Sequence, residues 1–87
     1  MNKVKIYTVD YCPYCKKAKM LLEKKGISYE EIDITNQPDI REKLVEMTGG
    51  RTTVPQIFIN GKSIGGSSDL EKLISTGQIN SLLNNEQ

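Results

Sequence analysis

The chain has 87 residues, 37% hydrophobic and 26% charged, with twelve Lys and Arg against eleven Asp and Glu. That length gives room for one domain over residues 1–87 and no second core, and the composition suits a soluble globular protein rather than a disordered tail or a membrane protein. A net charge of +1 lacks the basic excess of a nucleic-acid binder, and no apolar run reaches signal-peptide or membrane-span length, so a cytoplasmic protein is expected.

Val4 to Val9 reads as a short strand, with Val4, Ile6 and Thr8 alternating against Lys5, Tyr7 and Val9. Pro13 to Lys25 is helical: Pro13 suits the first helical position, Ala18, Leu21 and Leu22 give an apolar stripe, and Gly26 stops the helix. Ile27 to Ile34 alternates again through Ile27, Tyr29, Ile32 and Ile34 and predicts a second strand. Pro38 and Asp39 open a second helix carrying Ile40, Leu44 and Met47, closed by Gly49-Gly50. Val54 to Asn60 predicts a third strand, and Asn60-Gly61 is a two-residue hairpin turn into a fourth through Lys62, Ser63 and Ile64. Ser68 with Glu71 reads as a capping box for a helix from Asp69 to about Ser75. A last short helix covers Gln78 to Leu83, and Asn84 to Gln87 should fray. The order β-α-β-α-β-β-α, with a right-handed parallel crossover and one hairpin, predicts an α/β fold: a four-stranded mixed sheet flanked by helices.

The chemistry lies in Cys12-Pro13-Tyr14-Cys15, where the first strand hands over to the first helix. A cysteine at a helix N-terminus faces unpaired N–H groups and the positive end of the dipole, and both favour thiolate, the form that attacks disulfides. Cys15 follows three residues later on the same face, within disulfide reach. Cys12 is therefore assigned as the attacking thiolate and Cys15 as the resolving thiol. A purely structural disulfide is the bland alternative, but so short a loop contributes only about 2 kcal/mol. Zinc needs four ligands, and two Cys with no His leave only a site shared between two chains. No metal is assigned.

Two further segments bear on substrate. Thr52-Thr53-Val54-Pro55 opens the third strand, where a proline either simply starts the strand or forms a cis Val54–Pro55 bond. Gly65-Gly66-Ser67-Ser68-Asp69 is a turn and helix cap whose free N–H groups can also hold a carboxylate, with Asp69 beside them to receive an ammonium. Together these are what an α-amino acid end presents.

Cys12-Pro13-Tyr14-Cys15, Thr53-Val54-Pro55 and Gly65-Gly66-Ser67-Ser68-Asp69-Leu70, in this order and spacing, resemble a dithiol glutaredoxin from about Lys3 to Leu83. The resemblance implies a single glutaredoxin domain of thioredoxin fold, a cis Pro55, and glutathione as reductant and co-substrate with no tightly bound cofactor. It also implies glutathione contacts: backbone groups of Thr53 and Val54 on the cysteinyl part, Ser68 and Asp69 on the γ-glutamyl end, and Tyr14 lining the groove. Substrates compatible with it are disulfide-containing or glutathionylated proteins, ribonucleotide reductase among them, and a monomer is expected.

Two departures stand out. Many members carry a lysine three residues before the nucleophile, where this chain has Val9 followed by Asp10 and Tyr11; Arg41 on the second helix, or Lys16, is the candidate replacement for the glycyl carboxylate. The approach Gly49-Gly50-Arg51-Thr52 also looks longer than usual. The lysine-rich first helix (Lys16, Lys17, Lys19, Lys24, Lys25) reads chiefly as a solvated face, the alternative being that Lys16 and Lys17 stabilise the Cys12 thiolate or attract anionic glutathione. The expected activity is reduction of protein disulfides and glutathione mixed disulfides. Alternatives are a glutaredoxin-like donor recycled by thioredoxin reductase, which would be expected to lack Ser68-Asp69, and a glutathione-ligated [2Fe–2S] dimer, which Pro13 disfavours by stiffening the loop.

Overall fold

Alternation along the first strand decides how the molecule is layered. Val4, Ile6 and Thr8 are buried on one face of β1 (Val4–Thr8), while Lys5 is exposed and Tyr7 half-buried on the other. The computed structural model describes residues 4–84. Beyond β1 these form α1 (Pro13–Lys24), β2 (Glu30–Asp33), α2 (Pro38–Met47), β3 (Gln56–Ile59), β4 (Lys62–Gly65), α3 (Ser67–Thr76) and α4 (Gln78–Asn84). The strands make one mixed sheet in the order β2-β1-β3-β4, with β1 parallel to β2 and antiparallel to β3, and β3 antiparallel to β4. This is the thioredoxin fold that the resemblance implied.

Two clusters sandwich the sheet. On one face Val4, Ile6, Ile57 and Ile59 meet Ala18 and Leu22 of α1, Leu70 of α3 and Ile79 of α4. On the other, Val9, Ile34 and Phe58 meet Leu44 of α2, with Cys12, Tyr7, Ile40 and Val54 packed against them. All four β3 residues are buried, as expected of a strand covered on both faces. The Asn60-Gly61 hairpin forms as expected: both residues take positive φ, 51° and 84°, as this tight turn requires.

Several boundaries differ from expectation. The second strand covers only Glu30–Asp33, the four residues that pair with Lys5–Thr8 of β1; Ile27 and Tyr29 pack on the α1 side and Ile32 and Ile34 on the α2 side. The third strand begins at Gln56, after a cis Val54–Pro55 peptide whose proline has no N–H for the ladder. The Ser68–Glu71 capping box does not form. α3 starts at Ser67 with Gly66 as N-cap, and the Asp69 carboxylate reaches back to the Gly66 N–H at 3.0 Å. The expected frayed tail lies, after Asn84, outside the described residues.

Candidate active site at the start of the first helix

Cys12 is the N-cap of α1 in extended backbone (φ −106°, ψ 110°), with Pro13 at the first helical position. Its Sγ accepts the Cys15 backbone N–H at 3.2 Å. The sulfur thus takes the place that a serine or aspartate oxygen occupies in ordinary helix caps, facing the end of the helix that holds anions. Its own thiol points to the Val54 carbonyl oxygen at 3.7 Å. Cys12 is partly exposed, Cys15 is 1% exposed, and both are free thiols.

The two sulfurs therefore sit in different surroundings. Burial pushes the Cys15 thiol up to about 12 from 9.0, and its contact with Cys12 pushes the same way, against the Val9 backbone and the Lys19 ammonium. Lys19 is itself held by Glu31 at 2.9 Å, and the buried Thr8 hydroxyl donates to the same carboxylate oxygen at 2.8 Å. Those two bonds hold the Glu31 carboxyl below its usual range.

The loop before Cys12 is tied down from β2. The Asp10 N–H donates to Thr35 Oγ1 at 3.0 Å, while the Thr35 N–H and hydroxyl both donate to Asp33 Oδ1, at 2.9 and 2.5 Å. These bonds hold the Asp33 carboxyl below its usual range. Val9 is 5% exposed within the α2-side cluster, so its apolar side chain is core and is not available to a ligand at the position where many glutaredoxins carry a lysine.

The other expected site residues arrive from two directions. The Val54 carbonyl stands against Cys12, Pro55 is buried behind it, and Thr53 is exposed at the rim. A Cβ on Gly66 would lie 3.5 Å from the Pro55 carbonyl oxygen, so the start of α3 abuts this loop. Ser68 is exposed in the first turn of α3, and Asp69 is half-buried there. Tyr14, in the first turn of α1, is 64% exposed and Tyr11 is 74% exposed. Arg41 lies exposed in the first turn of α2, next to Ile40, whose side chain packs in the Cys12–Val54 cluster. Of the helix-α1 lysines, Lys17 pairs with Glu71 at 3.6 Å and Lys19 with Glu31, so two of them serve ion pairs within the fold. An apolar cleft of about 390 Å³ over Tyr7 and Phe58 lies toward the start of β1 and holds neither sulfur, so it is not the reaction site.

Sequence reasoning missed Arg51. Its guanidinium lies 3.4 Å from Asp69 Oδ2, the same oxygen that caps α3 through Gly66. The basic residue two positions before Thr53 was visible in the sequence but read only as loop length. Gln56, a lone polar residue in the apolar run from Val54 to Ile59, was likewise passed over.

The glutaredoxin family model matches residues 4–64. Glutaredoxin 3 of Escherichia coli (strain K12) is 47% identical over 83 residues, covering 95% of this chain and 99% of the relative. Glutaredoxin 1 of Rickettsia prowazekii (strain Madrid E) is 44% identical over 87 residues, covering 99% of this chain and 92% of the relative. Among solved structures, a buckwheat glutaredoxin–glutathione complex superposes with a TM-score of 0.85 at 32% identity, over 94% of this chain and 76% of that one.

Proposed function

The chain belongs to the glutaredoxin family of glutathione-dependent thiol–disulfide oxidoreductases, and we propose that Cys12 is its nucleophile and Cys15 its resolving thiol. The observation that carries this assignment is the asymmetry of the pair: a partly exposed sulfur at a helix cap, backed by a buried one.

Each step follows from that asymmetry. The Cys12 thiolate attacks one sulfur of a substrate disulfide; a new S–S bond forms to Cys12, the substrate bond breaks, and the departing thiolate takes a proton. With a glutathione mixed disulfide, Cys12 is left joined to glutathione, and a second glutathione thiolate attacks that glutathionyl sulfur to release oxidised glutathione. With a protein disulfide, Cys15 attacks Cys12 and frees the reduced substrate. Burial and the neighbouring Cys12 sulfur keep Cys15 protonated in the resting protein. Once Cys12 is in a mixed disulfide it carries no charge, so that part of the restraint on Cys15 is released at the step where Cys15 must act.

The glutathionyl group is placed between the Val54 backbone and the start of α3, which abuts Pro55. Thr53 and Val54 would pair with its cysteinyl part, Pro55 would back it, Tyr14 would flank it, and Ser68 and Asp69 would receive its γ-glutamyl end. Arg41 is the basic group proposed for its glycyl carboxylate, since Val9 is core. Glutathionylated and disulfide-bonded proteins, of which ribonucleotide reductase is one compatible example, are the proposed substrates. The chain is read as a single cytoplasmic, monomeric domain over residues 1–87. Cys12→Ser should abolish all activity, while Cys15→Ser should keep deglutathionylation and lose reduction of protein disulfides. An active Cys12→Ser protein would overturn the assignment.

A further inference from the structure

Gln56 is 1% exposed in a strand whose other residues are Ile57, Phe58 and Ile59. Its amide Nε2 donates to the Thr53 carbonyl oxygen at 2.8 Å and lies 3.4 Å from Thr53 Oγ1. Its Oε1 is buried with no partner among the described residues. A buried unpartnered carbonyl weakens a fold, and a methionine of similar length would fill the same space without that loss. Thr53 itself is exposed, so the bond ties a surface residue to one buried in the sheet. The bond's effect is restraint: it closes a three-residue span across Val54 and Pro55 from a residue fixed in the sheet opposite Tyr7.

We propose that Gln56 is a positioning residue for glutathione binding. Its amide clamps the Thr53 peptide so that the Val54 backbone keeps facing Cys12, 3.7 Å from Sγ, and presents its groups to the glutathionyl chain. This rests on the reading that Thr53 and Val54 contact glutathione. Among the described residues the Gln56 amide bonds Thr53 and neither sulfur, so it should tune recognition of the glutathionyl group and leave the nucleophile alone.

The test compares two mixed disulfides of one peptide, with glutathione and with 2-mercaptoethanol, in the wild type and in Gln56→Met and Gln56→Asn. Methionine has no donor and asparagine is one methylene too short to reach Thr53. In both variants KM for the glutathione disulfide should rise about fivefold, the factor one neutral hydrogen bond is worth, with kcat nearly unchanged. KM for the 2-mercaptoethanol disulfide and the rate of Cys12 alkylation by iodoacetamide should stay at wild-type values. Gln56→Met should melt no lower than the wild type, a direction opposite to its effect on KM and not expected of a merely structural residue. A wild type indifferent to the glutathionyl group would overturn the underlying reading and this proposal with it. A wild-type preference kept in either folded variant, or a loss shared equally by both disulfides, would overturn the proposal alone.

Discussion

The sharpest test of the site's construction is a single methyl group at Gly65. This residue has φ +117°, and a Cβ built there would sit 2.3 Å from Asp69 Oδ2 and 2.5 Å from the Arg51 guanidinium. Both neighbours are ends of flexible side chains, so Gly65→Ala should displace them rather than unfold the protein. Displacement removes the carboxylate from the Gly66 N–H, a helix-cap loss of about 1 kcal/mol. Holding alanine at that φ adds about 1–3 kcal/mol. A total near 2–4 kcal/mol should lower the melting temperature by roughly 10–25 °C in a domain of this size. The control is the adjacent glycine: Gly66 has ordinary φ (−98°), and its added Cβ would meet the Pro55 oxygen at 3.5 Å, a normal contact. Gly66→Ala should cost less than about 1 kcal/mol. Thermal melts by circular dichroism measure the first effect, and KM for a glutathione mixed disulfide measures the displacement of Asp69. The reasoning fails if Gly65→Ala melts with the wild type, or if the two alanines are equally damaging.

Cys12→Ser should be inactive yet melt within a few degrees of the wild type, because a serine oxygen can accept the Cys15 N–H as the sulfur does; a large drop would show that the sulfur's capping role is not the one described. In the reduced native protein iodoacetamide should label Cys12 and spare Cys15 at neutral pH, as peptide mapping would show, with Cys15 labelled only after unfolding. Because folding raises the Cys15 pKa from 9.0 to about 12, its thiol supports the fold fully below pH 9 and that support is lost as pH rises from 9 to 12. Cys15→Ser should therefore lose less stability than the wild type across that window in urea melts. The Glu31 carboxyl, depressed by Lys19 and Thr8, acts in the opposite direction: its contribution is present above about pH 4.5 and lost as pH falls through its folded value. Glu31→Gln should flatten the acid limb of the stability curve.

What could be read from the sequence followed local rules. Pro13 after Cys12 marked the start of α1 and placed the Cys12 sulfur at its cap, and Asn60-Gly61 fixed the hairpin. Local rules also misled where two patterns overlapped. Ser68 with Glu71 matches a capping box, but Gly66 with Asp69, two residues earlier, is the start that forms. The choice is tertiary, since the Asp69 carboxylate can reach back only where Gly65 leaves room for it and for Arg51. The phase change between Tyr29 and Ile32 was in the sequence, yet only the two opposed clusters show that it ends one packing face and begins another. Arg51 and Gln56 went unread because their partners, Asp69 and the Thr53 carbonyl, are defined by the folded loop and not by spacing.

The convergence of the three motifs follows from one topological fact. β3 runs antiparallel beside β1, with Tyr7 opposite Gln56, so the chain leaving the end of β1 and the chain entering β3 must lie at the same edge of the sheet. That places Cys12 against Val54 across 42 residues of sequence. β4 then returns antiparallel to β3, with Gly65 opposite Ile57, so the chain leaving β4 reaches the same edge and α3 begins beside Pro55. Had β3 paired on the far side of β2, the same strands and helices would form with the thiols and the glycine turn separated. The pairing registers matter for the same reason: a one-residue slip of β3 against β1 would turn Gln56 to the other face of the sheet, and one of β4 against β3 would move Gly65 away from the loop. A sulfur at a helix cap thus needs only the end of one helix, but its meeting with Val54 and the start of α3 needs the strand order β2-β1-β3-β4.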